Sequence, residues 1–191
     1  MLIDIALLTG IVIHNLSREL SLMLDRKYGL GLDSSRFPTH VTLKQAFTFD
    51  GDIKDLAQVF DSFCLMTPPP ILRYSGIEAV PGRNDTTIIW LDIVPDAALW
   101  NMHKLLLELL DRNCAVKPGD LDGDGWRFHT TLAQAVIDPY TLPAIIADAK
   151  QFINQLNSQA TSAAMLITPP GRPEVPEESV SYRIQRLSGP F

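Results

Sequence analysis

Apolar and polar positions alternate along the chain in a repeating order. Leu2 to Thr9 is a short apolar run closed by Gly10, the pattern of an interior strand. The apolar stretch from Met1 to Ile13 contains Asp4 and has no basic residues before it. It falls short of the ~20 residues of a spanning helix and reads as a buried strand running into a loop. From Asn15 to Lys27, Leu16, Leu20, Leu22 and Leu24 recur among polar residues before Gly29 and Gly31, which predicts an amphipathic helix with its stop signal. Residues 39–47 alternate as a strand does. Asp52 opens a second helix through Leu65, with Leu56, Val59, Phe60 and Phe63 on one face, and Pro68 to Pro70 break it. Residues 71–80 form another strand, ended by Pro81 and Gly82.

A similar order then begins again. Thr86 to Val94 is β-branched and apolar, hence a strand. Asp96 starts a helix through Asp111 that carries Leu99, Met102, Leu105, Leu106 and Leu109. A Gly- and Asp-rich loop leads to a strand at Phe128 to Val136. Asp138 and Pro139 open a helix to about Asn157. Met165 to Thr168 is a short strand, Pro169 to Pro176 a loop, and Val180 to Leu187 the closing strand. Each half therefore reads strand, helix, strand, helix, strand. The expectation is one domain, residues 1–191, of two similar lobes over roughly 1–82 and 83–191.

The two middle strands make the repeat specific. His40-Val-Thr-Leu-Lys-Gln45 and His129-Thr-Thr-Leu-Ala-Gln134 both spell H-x-T-L-x-Q, 89 positions apart. The same offset carries the helix near 52–65 onto 141–154 and the strand at 75–79 onto 164–168, the mark of an internal duplication. On a strand, residues i and i+2 share a face. His40 and Thr42 thus point one way, as do His129 and Thr131, while Val41, Leu43 and Leu132 face a core. A pseudo-two-fold axis would set two imidazoles and two hydroxyls around one cleft. Imidazole titrates near neutrality, so one ring can take a proton while the other gives one. Threonine hydroxyls can donate to phosphate oxygens without carrying charge.

Composition narrows the partners. At 191 residues, with 46% hydrophobic and 20% charged residues, the chain has a core and is not disordered. A net charge of −6 argues against an extended duplex nucleic acid, though not against a small nucleotide or an RNA terminus. Cys64 and Cys114 read as reduced thiols at the ends of apolar helical patterns. With no membrane segment in view, a cytoplasmic monomer is expected.

Two H-x-[ST] strands in two similar halves resemble the 2H phosphoesterase superfamily, which includes bacterial 2′-5′ RNA ligase-like proteins and plant cyclic phosphodiesterases. The resemblance implies a bilobal α+β fold, with antiparallel sheets around a central cleft and helices outside. It also implies metal-independent hydrolysis or formation of 2′,3′-cyclic, 2′-5′ and related RNA-type phosphodiesters, without a cofactor. By this resemblance His40 and His129 carry the acid/base roles, and Thr42 and Thr131 hold the phosphate. Members often place a basic or aromatic side chain near the second motif, where Trp126, Arg127 and Phe128 stand here; Arg127 is the candidate substrate contact. Lys44, two positions after Thr42, would add a cation to the same face, although a solvated strand-end lysine fits the sequence equally well.

Other signals carry less. His14 and His103 lack the motif and read as structural or surface residues. Asp120-Leu-Asp122-Gly-Asp124-Gly125 matches the first half of a calcium-binding loop, but its twelfth position is Thr131 and a strand follows, so a polar turn is the better reading. No metal site is expected. A non-catalytic nucleotide or RNA-end binding module with the same cleft is the alternative function. Hydrolysis of a 2′,3′-cyclic nucleotide separates it from the enzyme.

Overall fold

The computed structural model describes residues 1–32, 34, 37–123, 125–153, 156–168 and 181–190; the expected loop from Pro169 to Pro176 lies outside them. Among the described residues twelve elements follow in chain order: β1 (Leu2–Leu8), α1 (Ile11–Tyr28), β2 (His40–Thr48), α2 (Ile53–Met66), β3 (Ile71–Pro81), β4 (Thr87–Ile93), α3 (Ala97–Cys114), β5 (His129–Ala135), α4 (Leu142–Lys150), β6 (Leu156–Gln159), β7 (Ser162–Thr168) and β8 (Ser181–Arg186). They build two antiparallel four-stranded sheets, ordered β2-β1-β7-β8 and β5-β4-β3-β6, in the expected α+β architecture.

The two sheets repeat one plan and exchange a strand. In each, the first two strands of one half lie beside a later strand of the other: β7 pairs with β1, and β3 pairs with β4. The sequence boundary near residue 82 therefore falls between two neighbours of a single sheet. Its tight turn puts Asn84 and Asp85 at φ 53° and 58°, a conformation these two residue types tolerate best after glycine. The helices cross over in the same way. α2 and α3 pack together, α2 against β7 and β8 and α3 against β2, whereas α1 lies on β5 and α4 on β3. A single apolar core runs through both sheets, from Ile3, Ile5 and Leu7 to Leu91, Phe128 and Leu132.

Capping follows the sequence where side chains do the work. Asp52 and Asp96 open α2 and α3, their carboxylates accepting the amides of Lys54 (2.9 Å) and Leu99 (3.0 Å). Gly29, at φ 68°, ends α1. Two expectations need correction. The chain after Gly10 does not run into a loop: α1 begins at once at Ile11, with Ile11 and Val12 in solvent and only Ile13 reaching the core. The helix expected to run to about Asn157 stops at Lys150, because Leu156–Gln159 instead pairs with Ile71–Tyr74 as an edge strand. Cys64 is buried and Cys114 half-buried; both are free, and burial pushes the Cys64 thiol up to about 12. Among the described residues, no helix is long and apolar enough to cross a membrane.

Candidate active site

β2 and β5 are edge strands of the two sheets and meet side by side, which brings the two motifs together. Neither strand is regular. Thr42 pairs with Ala6 and Lys44 with Ile5, so Leu43 is an extra residue; Thr131 pairs with Trp90 and Ala133 with Ile89, so Leu132 is its counterpart. Each bulge sends two successive side chains to the buried side, Leu43 with Lys44 and Leu132 with Ala133. Parity is reversed beyond it. Gln45 and Gln134, which a regular strand would turn away, rejoin the face of the histidine and threonine. The bulged carbonyls are held by helices of the opposite half: the Leu43 carbonyl accepts from His103 Nδ1 on α3 (2.7 Å), and the Leu132 carbonyl from Ser21 Oγ on α1 (2.8 Å).

The histidines are set alike. His40 Nδ1 lies 2.7 Å from the Pro38 carbonyl and His129 Nδ1 2.8 Å from the Arg127 carbonyl, in each case two residues back. A carbonyl only accepts, so Nδ1 carries the hydrogen in both rings and Nε2 is left for chemistry. His40 lines a cavity of about 440 Å³ with Thr131, Gln134, Thr86, Arg18 and Phe37. His129 lines one of about 620 Å³ with Thr42, Gln45, Trp90, Arg127 and again Gln134, so the two cavities adjoin at that glutamine. Burial pushes both imidazoles below the ordinary histidine value. For His129 the nearby His40 and Arg127 act in the same direction, while the Arg127 carbonyl and Asp92 oppose them. The His129 ring also stacks on Trp90, with centroids 4.0 Å apart at 25°.

The 2′-5′ RNA ligase superfamily model matches residues 23–169, a span that holds both motifs, the whole β5-β4-β3-β6 sheet and strands β2 and β7 of the other. The chain belongs to the 2′-5′ RNA ligase superfamily. No curated protein matches it in sequence. Among solved structures, TT0787 of Thermus thermophilus is similar in fold over 100% of both chains, at 11% identity and a TM-score of 0.67. E. coli LigT in complex with NADP+ is 14% identical over 97% of each chain, with a TM-score of 0.56. LigT in complex with 3′-AMP is 12% identical over 96% of this chain and 94% of that one, at 0.54.

Within this superfamily member the two basic candidates fare differently. Lys44 is not on the face of Thr42. The bulge at Leu43 turns it inward, where it is 4% exposed and paired with the Asp122 carboxylate, near the Phe47 ring. Arg127 does line the His129 cavity, held by Glu78 (2.6 Å) and Asp92 (2.8 Å) with its guanidinium over Trp90. The Asp-rich loop serves as an anchor: one Asp122 oxygen accepts both Lys44 and the Gly119 amide, while Asp124 lies outside the described residues. His103 is structural, 1% exposed and stacked on Trp126 at 5.1 Å. Gln45 and Gln134 were the residues sequence reasoning passed over. Their signal was present in the repeat itself, which preserves glutamine at a position strand parity assigns to the wrong face.

Proposed function

We propose that this protein is a metal-independent phosphodiesterase acting on 2′,3′-cyclic phosphates or 2′-5′-linked RNA-type phosphodiesters through two-histidine acid/base catalysis. The observation that carries the proposal is the matched pair of rings. Each is oriented by its own main chain through Nδ1, and each lines a cavity that meets the other at Gln134. In hydrolysis of a cyclic phosphate, one Nε2 takes a proton from the attacking water and the other protonates the departing ribose oxygen. Thr42 and Thr131 donate to the non-bridging oxygens, on which charge accumulates in the transition state. Arg127 adds positive charge at one end of the cleft. The donor set performs these transfers without a metal or cofactor. A nucleotide or RNA end is a ligand of the right size, and crystallised LigT holds 3′-AMP and NADP+ in this fold. The protein works in this reading as a cytoplasmic monomer.

The test is hydrolysis of a 2′,3′-cyclic nucleotide by the purified protein in the presence of a chelator, with His40→Ala and His129→Ala alongside. Activity should survive chelation, and each variant should lose about 10²–10⁴-fold while remaining folded. The rate should follow a bell-shaped pH curve whose acid limb lies below 6.5, because burial lowers the pKa of the ring that must be neutral. A folded double variant with wild-type turnover would end the proposal. Binding of the nucleotide without turnover would instead support the non-catalytic module.

A further inference from the structure

The two cavities that meet at Gln134 are lined differently. The one beside His129 carries the apolar side chains Val80, Pro81, Ile88 and Leu121. The one beside His40 carries hydroxyls, among them Ser17, Ser34, Thr39 and Thr131, with Arg18 and Phe37. Its volume of about 440 Å³ is more than ten times the roughly 30 Å³ that a water occupies, and it lies in the range of about 300–1,000 Å³ typical of ligand pockets. Thr42 and His129 do not line it. A phosphate reached by both threonines therefore sits at the junction, and the space beyond His40 is left for another part of the substrate.

The donors of that space are not spent. Arg18 is half-buried on α1 and makes no ion pair among the described residues, whereas Arg73, Arg127 and Arg183 are each held by a carboxylate. A partly desolvated guanidinium with no counter-charge is costly unless an anion joins it. Ser17, one position earlier on the same wall, is 3% exposed, and its hydroxyl has no partner. A buried hydroxyl in that state is rare. The neighbouring hydroxyls of Ser21 and Thr86 are committed, donating to the Leu132 carbonyl (2.8 Å) and the Arg83 carbonyl (2.6 Å). A guanidinium beside an unspent hydroxyl calls for a group that is negative and rich in acceptor oxygens, which describes a phosphate.

We infer that the cavity beside His40 is a subsite for a second, non-scissile phosphate, held by Arg18, so that the substrate carries a further phosphate beyond the one that reacts. The inference rests on the phosphodiesterase reading above for the place of the reacting phosphate. Two substrates present this chemistry. An RNA terminus closed as a 2′,3′-cyclic phosphate brings the 5′-phosphate of its last nucleoside. A 2′-5′-linked chain brings the phosphate of the next nucleotide. A bare cyclic mononucleotide leaves Arg18 without a partner.

Matched substrates test this. The first pair is a nucleoside 2′,3′-cyclic phosphate with and without a 5′-phosphate; the second is a 2′-5′-linked dinucleotide with and without a phosphate on its leaving nucleoside. In one pair the second phosphate should raise kcat/KM about tenfold to a hundredfold, the size of a charge-assisted hydrogen bond, and the pair that responds names the source. Arg18→Gln should bring that ratio to near one, Arg18→Lys should keep part of it, and Arg83→Gln, on the rim of the other cavity, should keep it whole, with melting curves checking that each variant is folded. A ratio near one for both pairs in the wild type overturns the subsite. So does a ratio that survives in Arg18→Gln, which places Arg18 on the reacting phosphate or on neither. An equal fall in Arg83→Gln makes the effect a general attraction and also overturns it. If the wild-type protein cleaves none of the four, the phosphodiesterase reading fails, and calorimetry with a nucleoside 2′,5′-bisphosphate against the 2′-phosphate decides the subsite separately. Tighter binding of the bisphosphate that is lost in Arg18→Gln supports it, and equal binding overturns it.

Discussion

Replacing Lys44 by methionine tests whether this lysine anchors the fold or contacts substrate. Its side chain is 5% exposed and that of Asp122 2%, so the ion pair is sealed from water. Methionine fills similar volume but leaves a buried carboxylate facing the Gly119 amide alone. Removing one partner of such a pair costs about 3–5 kcal/mol, because the surviving charge keeps its desolvation penalty. For a chain of this length that corresponds to a melting temperature lower by about 6–20 °C. Lys44→Met with Asp122→Asn should recover much of the loss, since the asparagine carbonyl can still accept from Gly119 and no charge is stranded. Thermal melts of the single and double variants measure the coupling, and kcat/KM of the folded fraction, taken well below the melt, measures catalysis. The anchor reading requires a large loss of stability with kcat/KM within a few-fold of wild type. A stable Lys44→Met protein whose KM for a phosphodiester rises tenfold or more would refute it and return Lys44 to the cleft.

Ser21→Ala should cost about 1–3 kcal/mol by orphaning the bulged Leu132 carbonyl, with kcat falling more than KM rises; Ser21→Thr should restore part of both, and melting curves with steady-state kinetics check this. Asp4 is the opposite case, since burial holds its carboxyl at about 6 despite the Ala46 amide. The folded state therefore binds this proton more tightly than the unfolded chain does, and stability is lost as pH rises from about 4 to 6. Asp4→Asn should raise stability at pH 8 by at most about 3 kcal/mol and change little near pH 3.5, read by denaturant titration. His40, His103 and His129 act in the other sense: their lowered values give stability that is full above about 6.5 and lost as pH falls below it, so melting temperature should drop between pH 7.5 and 5.5, more steeply in Asp4→Asn.

Where local physics and tertiary structure agreed, the elements were legible from the chain alone. Asp52 and Asp96 mark helix starts because their carboxylates cap amides whatever the surroundings. β2 and β5 stand out because half-buried strands alternate. The misread elements are those decided by distant partners. Ile11 and Val12 favour a strand by β-branching, yet they sit in solvent on the first turn of α1, directly after Gly10. Leu-Asn-Ser-Gln, residues 156–159, has no apolar rhythm of its own and is a strand only because Ile71–Tyr74 offers an open edge. The exchange of β3 and β7 between halves is invisible to a repeat offset, which says that two segments are alike but not which neighbours they choose.

The site was legible to the same depth. Strand parity brought His40 with Thr42 and His129 with Thr131, and it failed one residue later, at the bulges. A bulge is a main-chain event whose cause lies elsewhere: Leu43 and Leu132 are ordinary strand residues, and the groups that take their carbonyls, His103 and Ser21, come from helices 60 and 111 positions away. Strict alternation would put Lys44 in the cleft and Gln45 in the core, the reverse of what is found. The repeat nonetheless held the correction. Of the two positions after leucine, the first is Lys44 in one half and Ala133 in the other, whereas the second is glutamine in both. A duplicated site preserves what its cleft needs and lets go of what it buries, so identity between the halves outranks parity within either one. By the same comparison the halves disagree at the cross-strand partners of the two motifs, Ala6 against Trp90 and Leu8 against Asp92, so the two histidines stand in different surroundings although their own strands match.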